Sequence, residues 1–203
     1  MLCPSRTAQK IIYKIKKIAF LPTLLYSTFF FACAPSTPDI TKNELSQALQ
    51  APGDCYIDSE INWSDVAGSI DTDTTYDDFK HVAAYLCKYR ALPHNYVKKN
   101  EARHECEIKR GDPESCAHFN YNPEEFLGVM VGGDTFGNHE KALPDLPHGE
   151  NYTEADVDYD KESNRGKNRL IFILKDNSCI IYHTEDHYKP GSFCRLHPKM
   201  MYQ

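Results

Sequence analysis

The run Leu170-Ile171-Phe172-Ile173-Leu174-Lys175-Asp176-Asn177-Ser178-Cys179-Ile180-Ile181-Tyr182 decides the fold. Two apolar, β-rich runs flank the break Lys175-Asp176-Asn177-Ser178, which predicts a β-hairpin. Upstream, Tyr152 to Tyr159 alternates weakly and Val129-Met130-Val131 is short and apolar; both read as strands. Downstream, Phe193 to Leu196 reads as a last short strand. Earlier in the chain the pattern is helical. Phe79, Val82, Ala83, Leu86 and Tyr89 share one face of a helix predicted from Tyr76 to Arg90. Thr75 and Asp78 approximate its capping box, and Leu92-Pro93 stops it. A second helix is expected from Asn100 to Cys106, and Asn122-Pro123-Glu124-Glu125 has the form of a third start. Helices first and an antiparallel sheet afterwards argue an α+β fold.

The 203 residues suffice for one ordinary domain plus an export segment. A hydrophobic fraction of 41% and 13 tyrosines suit a globular chain rather than a disordered one. Arg6, Lys10, Lys14, Lys16 and Lys17 precede the apolar stretch Ile18 to Ala32, as in a secretion signal. Two processing readings follow: lipidation at Cys33, or cleavage at Ala32-Cys33-Ala34. The expectation is an export segment over 1–33, a polar tether and N-terminal extension over 34–64 with a short ordered part around Cys55 and Trp63, and the functional domain over 65–203. The location expected is the periplasm or the outer membrane as a lipoprotein, and otherwise secretion. The first 32 residues carry five cations and no acid, so from Cys33 onward 18 Lys+Arg face 29 Asp+Glu, a net of −11. Such a chain has no long-range attraction for a polyanion, so any nucleic-acid binding needs a local basic cleft. Six cysteines follow Cys33, an even number that reads as three disulfides in an exported chain, with 15 possible pairings.

One carboxylate, one imidazole and two guanidiniums suffice to cleave RNA without a metal. A base takes the 2′-OH proton, an acid protonates the departing 5′-oxygen, and cations hold the charged phosphorus centre. The stretches Tyr152-Thr153-Glu154-Ala155-Asp156 and Thr184-Glu185-Asp186-His187-Tyr188, with Arg165 and Arg169 between them, contain these parts. Alternation puts Tyr152, Glu154 and Asp156 on one face of a strand and Thr153 and Ala155 on the other. No nucleotide-binding glycine loop, G-x-S-x-G elbow or H-E-x-x-H motif is present.

From about Tyr76 to Leu196 the chain resembles the bacterial guanyl-preferring ribonucleases of the barnase type. Ala84-Tyr85-Leu86 and Leu92-Pro93-His94-Asn95-Tyr96-Val97-Lys98-Lys99-Asn100-Glu101-Ala102 are similar to the family's first helix and the lysine-bearing start of its second. Val131-Gly132-Gly133-Asp134-Thr135-Phe136-Gly137-Asn138-His139-Glu140 and Leu143-Pro144 are similar to its base-recognition loop. Tyr152 to Tyr159, Arg165-x-x-x-Arg169 and His183 to Tyr188 are similar to its catalytic strands and loop. The resemblance implies helices packed on a five-stranded antiparallel sheet with the active site on the open face. It assigns Glu154 as general base and His187 as general acid, and Arg165, Arg169 and Lys99 to the phosphate. Asp156 orients the arginines from behind, and Asp134 is placed with it as a supporting residue. Phe136, Gly137, Asn138, His139 and Glu140 would recognise guanine, with Tyr188 available to stack on a base. A nearby carboxylate or phosphate should hold the His187 pKa up.

Departures from the family pattern are visible. The spacing from Asp156 to Arg165 is one residue longer. Gly137 replaces a hydroxyl-bearing residue, His139 an arginine, and Ala142 a lysine. These changes remove positive charge from the cleft edge, so a barstar-like acidic inhibitor is a poor match. His104-Glu105-Cys106 and Cys116-Ala117-His118 bracket a loop inserted relative to the family. Two readings of that pair stand: a four-ligand zinc site, or a Cys106–Cys116 disulfide with no metal. The family's packing suggests Cys87–Cys179, leaving Cys55–Cys194 as the remaining pair. The functional expectation is a monomeric, cofactor-free endoribonuclease acting on single-stranded RNA. The alternatives are a ribonuclease-fold binding protein without activity, and an interaction module built on residues 104–118.

Overall fold

The computed structural model describes residues 52–160, 164–175 and 177–198. The expectations about the export segment, Cys33 and the tether before residue 52 lie outside these residues. Helices Trp63–Ser69 (α1), Phe79–Tyr89 (α2), Lys99–Arg110 (α3) and Pro123–Leu127 (α4) lead into strands Met130–Phe136 (β2), Tyr152–Asp156 (β3), Arg169–Lys175 (β4), Ser178–Thr184 (β5) and Cys194–Leu196 (β6). A two-residue strand, Tyr96–Val97 (β1), lies between α2 and α3. The α+β class expected from the sequence is the one found. The sheet, however, has six strands in the order β1-β2-β3-β4-β5-β6. The antiparallel five are β2 to β6; β1 adds in parallel, Tyr96 beside Met130 and Val97 beside Val131. Its pairing starts where Met130 N donates to Asn95 O at 2.8 Å, just before the chain turns into α3.

Local chemistry sets the helix ends. Asp78, not Thr75, caps α2: its backbone is extended and its Oδ1 accepts from the amides of Lys80 and His81, each at 3.1 Å. The helix therefore starts at Phe79, and Arg90 closes it in the left-handed region at φ 60°. Asn122 caps α4 through the amides of Glu124 and Glu125, with Pro123 in the first turn. The second helix, α3, runs past Cys106 to Arg110, where Gly111 stops it at φ 69°.

The sheet separates two apolar layers. Val82, Ala83 and Leu86 of α2 pack with Ala155, Leu170, Phe172, Ile181 and Leu196 on one face. Phe136, Leu143, Tyr152, Ile171, Tyr182 and Phe193 form a smaller layer on the other. The strand alternation therefore holds: Ala155 points to the helices, while Tyr152 and Glu154 share the opposite face with Ile171, the cross-strand partner of Glu154.

Three disulfides brace this frame: Cys55–Cys194, Cys87–Cys179 and Cys106–Cys116. With its two sulfurs bonded to each other, the loop at residues 104–118 lacks the thiolates of a four-ligand zinc site. Cys55–Cys194 spans 139 residues of sequence, and Asp54 bridges Arg195 alongside it. Trp63 is buried in the main core and its Nε1 donates to Asp58 at 3.0 Å. The segment from Asp54 through α1 is thus part of the packed structure. A bridge closing so long a loop restricts the unfolded chain most, on the order of 4–5 kcal/mol.

Candidate active site

Strand β3 sends two acids to the open face, Glu154 at 5% exposure and Asp156 at 1%. Carboxylates this deep require cationic or hydrogen-bonding partners. Glu154 has both. The ammonium of Lys99 contacts its Oε1, and the phenol of Tyr188 donates to its Oε2. Lys99 is held in place by the start of α3. Its backbone amide donates to Asp134 Oδ2 of β2 at 2.9 Å, and Lys98 N donates to Glu101 Oε2 at 3.1 Å. Asp134 therefore caps a helix that lies far from it in sequence, and it supports Lys99 rather than the arginines.

Asp156 gathers both arginines. Arg165 donates Nε to Oδ2 at 2.6 Å and Nη2 to Oδ1 at 2.9 Å, a forked pair. Arg169 brings Nε to 2.9 Å from Oδ1, an ion-pair contact without hydrogen-bond alignment. Its Nη1 donates to the carbonyls of Asn168 (2.7 Å) and Arg165 (3.4 Å), and its Nη2 to that of Gly166 (3.2 Å). The same guanidinium thus pins the turn that carries its neighbour. Tyr159 OH donates to Asp156 Oδ2 at 2.9 Å, and Tyr96 OH to the Asp156 carbonyl at 2.8 Å.

His187 stands at the mouth of the site with φ 56°, and its amide donates to Lys167 O at 3.1 Å. Its ring centroid is 4.0 Å from that of Tyr188. Burial, then Arg169 and Arg165, lower the His187 pKa from the usual histidine value; Asp156 and Glu154 oppose them and are outweighed. This corrects the expectation of a raised value. The carboxylates are present, but in the free protein burial and then the guanidiniums outweigh them. Burial and the bond to Glu154 push the Tyr188 phenol well above its ordinary range.

The loop after β2 adjoins this cluster through aromatic contact. Phe136 is buried, with its ring centroid 5.1 Å from Tyr188. Asn138, at φ 45°, closes the loop with its side chain: Nδ2 donates to Leu143 O at 2.8 Å and Oδ1 accepts from Leu143 N at 3.0 Å. His139 and Glu140 are exposed, and among the described residues neither has a hydrogen bond or ion pair with the charged cluster. A Cβ on Gly137 would lie 2.5 Å from His139 Nε2. The glycine at 137 and the imidazole at 139 are therefore coupled, since a side chain at 137 would displace the ring. Phe136, Gly137, Asn138 and Lys141 line a cleft of about 120 Å³ beside the loop.

Glu154, Asp156, Lys99, Arg165, Arg169, His187 and Tyr188 are thus brought into one neighbourhood. Sequence reasoning gave no role to Tyr159, Tyr96 or Phe119. Tyr159 and Tyr96 fix Asp156, and the Phe119 ring lies 4.7 Å beneath the Arg165 guanidinium. A tyrosine three residues past a buried acid was the one signal available for Tyr159.

The ribonuclease family model matches residues 79–197. A ribonuclease of Bacillus pumilus is 29% identical over 190 residues, covering 93% of this chain and 99% of that protein. Ribonucleases of Heyndrickxia coagulans and Bacillus intermedius are each 34% identical over 118 residues, 58% of this chain, covering 94% and 64% of those proteins. Fold, clustered side chains and sequence match agree, and the chain belongs to the microbial ribonuclease family of the barnase type.

Proposed function

We propose that this RNA-cleaving enzyme is an exported endoribonuclease that cuts single-stranded RNA after guanine by transesterification. The observation that carries this reading is the buried Glu154 carboxylate, flanked by Lys99 and Tyr188, beside the arginine pair and His187. Glu154 takes the proton of the ribose 2′-OH, and the oxygen attacks phosphorus. Arg165, Arg169 and Lys99 stabilise the charge of the pentacoordinate centre. His187 protonates the departing 5′-oxygen, leaving a 2′,3′-cyclic phosphate. Water then opens that ring with the two roles reversed. DNA lacks the nucleophile, and an RNA duplex holds the 2′-OH out of line. Guanine would present O6 to the loop amides of 136–140 and its N–H edge to the Glu140 carboxylate. Three disulfides suit an oxidising compartment, which supports export, with Cys33 as the candidate lipid anchor.

The test is digestion of an oligoribonucleotide in EDTA, with every cleavage end mapped. Cuts after guanine ending in cyclic phosphate are expected, and a single 2′-deoxy substitution at the scissile residue should abolish cutting there. Cleavage that survives the deoxy substitution would defeat the mechanism.

A pH dependence follows from the lowered His187 pKa. The acid must be protonated, so kcat/KM should fall as pH rises through a midpoint below the ordinary histidine value. A bound phosphate neutralises Arg165 and Arg169, so the corresponding midpoint in kcat should lie higher. Steady-state profiles on a dinucleoside phosphate check the order; a kcat midpoint below that of kcat/KM contradicts it.

A further inference from the structure

On the sheet face turned away from Glu154, three neighbouring stretches of chain bring a ring nitrogen and two sulfurs together. His183 sits directly across from Cys194 in the antiparallel β5–β6 ladder, so their side chains share a face. Ile181, two residues before His183, belongs to the helix-side core, which puts His183 on that side too. Cys55 arrives along the other edge of β6, where its amide donates to Arg195 O at 2.9 Å. A ring nitrogen of His183 and the sulfurs of Cys55 and Cys194 all lie within 4.8 Å of one another. Among the described residues, His104 and His118 form no comparable cluster with Cys106 and Cys116.

The imidazole is held there at a cost. His183 is 4% exposed, and its Nε2 is buried without a hydrogen-bond partner among the described residues. A buried polar atom left so costs about 1–3 kcal/mol. Its ring stacks on Phe79, with centroids 4.6 Å apart and planes 13° from parallel, which fixes its orientation. Burial lowers the His183 pKa, with Glu185 opposing, so the ring stays neutral, the form that ligates a metal. A cavity of about 420 Å³ opens on all three groups and is lined also by Thr184, Glu185 and Ser192. An apolar side chain stacked on Phe79 would fill the core without an orphaned nitrogen. In the oxidised chain the two sulfurs are bonded to each other and are not thiolate ligands.

We propose that reduction of Cys55–Cys194 turns this corner into a zinc site, with both thiolates and His183 as ligands and a water from the cavity in the fourth position. A dithiol passes two electrons and two protons to the sulfurs and closes to its own disulfide; Zn²⁺ then displaces the two thiol protons. Opening the bond lets the sulfurs separate to about 3.8 Å, the span that Zn–S bonds of about 2.3 Å set in tetrahedral geometry. Three protein ligands and a water make an open zinc site of the ordinary kind. The cation holds the segment at Cys55 against β6 when the covalent bond is gone. The site lies across the sheet from Glu154, so it does not depend on the RNA chemistry above.

The experiment reduces the full chain with a dithiol, desalts it without oxygen and titrates it with Co²⁺, whose tetrahedral thiolate complexes are coloured. One Co²⁺ per chain is expected, with thiolate charge-transfer bands that Zn²⁺ displaces. A C55S/C194S double variant should lose those bands. His183→Gln should weaken binding by more than about 100-fold, beyond the 10–100-fold typical of losing an outer partner of a ligand. Urea unfolding of its oxidised form is the folding control. A second measurement needs no variant: Zn²⁺ should slow alkylation of Cys55 and Cys194, mapped by mass spectrometry, and leave Cys87, Cys106, Cys116 and Cys179 at their metal-free rates. If His183→Gln does not fold, this map decides alone. Absence of a coloured complex, bands that survive C55S/C194S, or native affinity in a folded His183→Gln overturns the site. Zinc protection at Cys106 and Cys116 instead would put the metal in the other loop and overturns it equally.

Discussion

Glu154→Gln is expected to lower kcat/KM on GpU by about 10²–10⁴-fold, the range removed with a general base. The loss should lie in kcat, since the amide keeps the shape of the carboxylate but cannot take the 2′-OH proton. The fold should tolerate the change. Lys99 is about one-third exposed, so its ammonium remains partly solvated without the carboxylate. The glutamine oxygen can still accept from Lys99, and its NH₂ can donate to the Tyr188 oxygen, so neither buried polar contact is orphaned. The check is steady-state kinetics together with denaturant unfolding. Activity within tenfold of native, with stability unchanged, would assign the base to another group and favour the reading of this chain as a binding protein. Full loss with a normal unfolding midpoint places the proton transfer at residue 154. The double mutant with Lys99→Ala then separates the base from its cation: if both act on the same step, the losses should be far from additive.

How far such residues could be read in advance depends on whether their partners are local. The hairpin around residues 175–178, the packed face of α2 and the Asn122-Pro123 start were legible because each depends on neighbours within one or two turns. Glu154 was legible as a floor residue because strand alternation fixes its face. The length of α3 was not: over Lys99–Arg110 only Ala102 and Cys106 are buried, too narrow a seam for a clear period, and the cap holding its first turn is Asp134 on a distant strand. Strand β1 has two residues and pairs in parallel, so no pattern of its own could announce it. The His187 expectation failed for a related reason. Its pKa is set first by burial and then by Arg169 and Arg165 against the acids, and only the folded geometry weighs them. The platform under Arg165 depends on Phe119, which lies in none of the short stretches that carried the family resemblance.

Asp156→Ala is expected to be the most destabilising single change at the site, by about 3–5 kcal/mol, because it removes one member of a buried charge cluster and strands the rest. Asp156 is 1% exposed and serves Arg165, Arg169 and Tyr159 at once. The Arg165 and Arg169 side chains are 15% and 3% exposed, so water cannot replace the lost carboxylate without opening the loop. For a domain of this size the loss corresponds to a fall of roughly 10–15 °C in Tm. Arg169→Ala should cost less, although it also deletes the donors that hold the carbonyls of Arg165, Gly166 and Asn168. It leaves the Asp156–Arg165 fork intact, so the remaining acid is still paired. Urea unfolding of the oxidised proteins measures this order directly. If Arg169→Ala proved the more damaging, the turn contacts rather than the carboxylate would be what keeps the two cations facing the phosphate. A double Asp156→Ala/Arg169→Ala variant more stable than Asp156→Ala alone would show that the unpaired guanidinium, not the lost acid as such, carries the penalty.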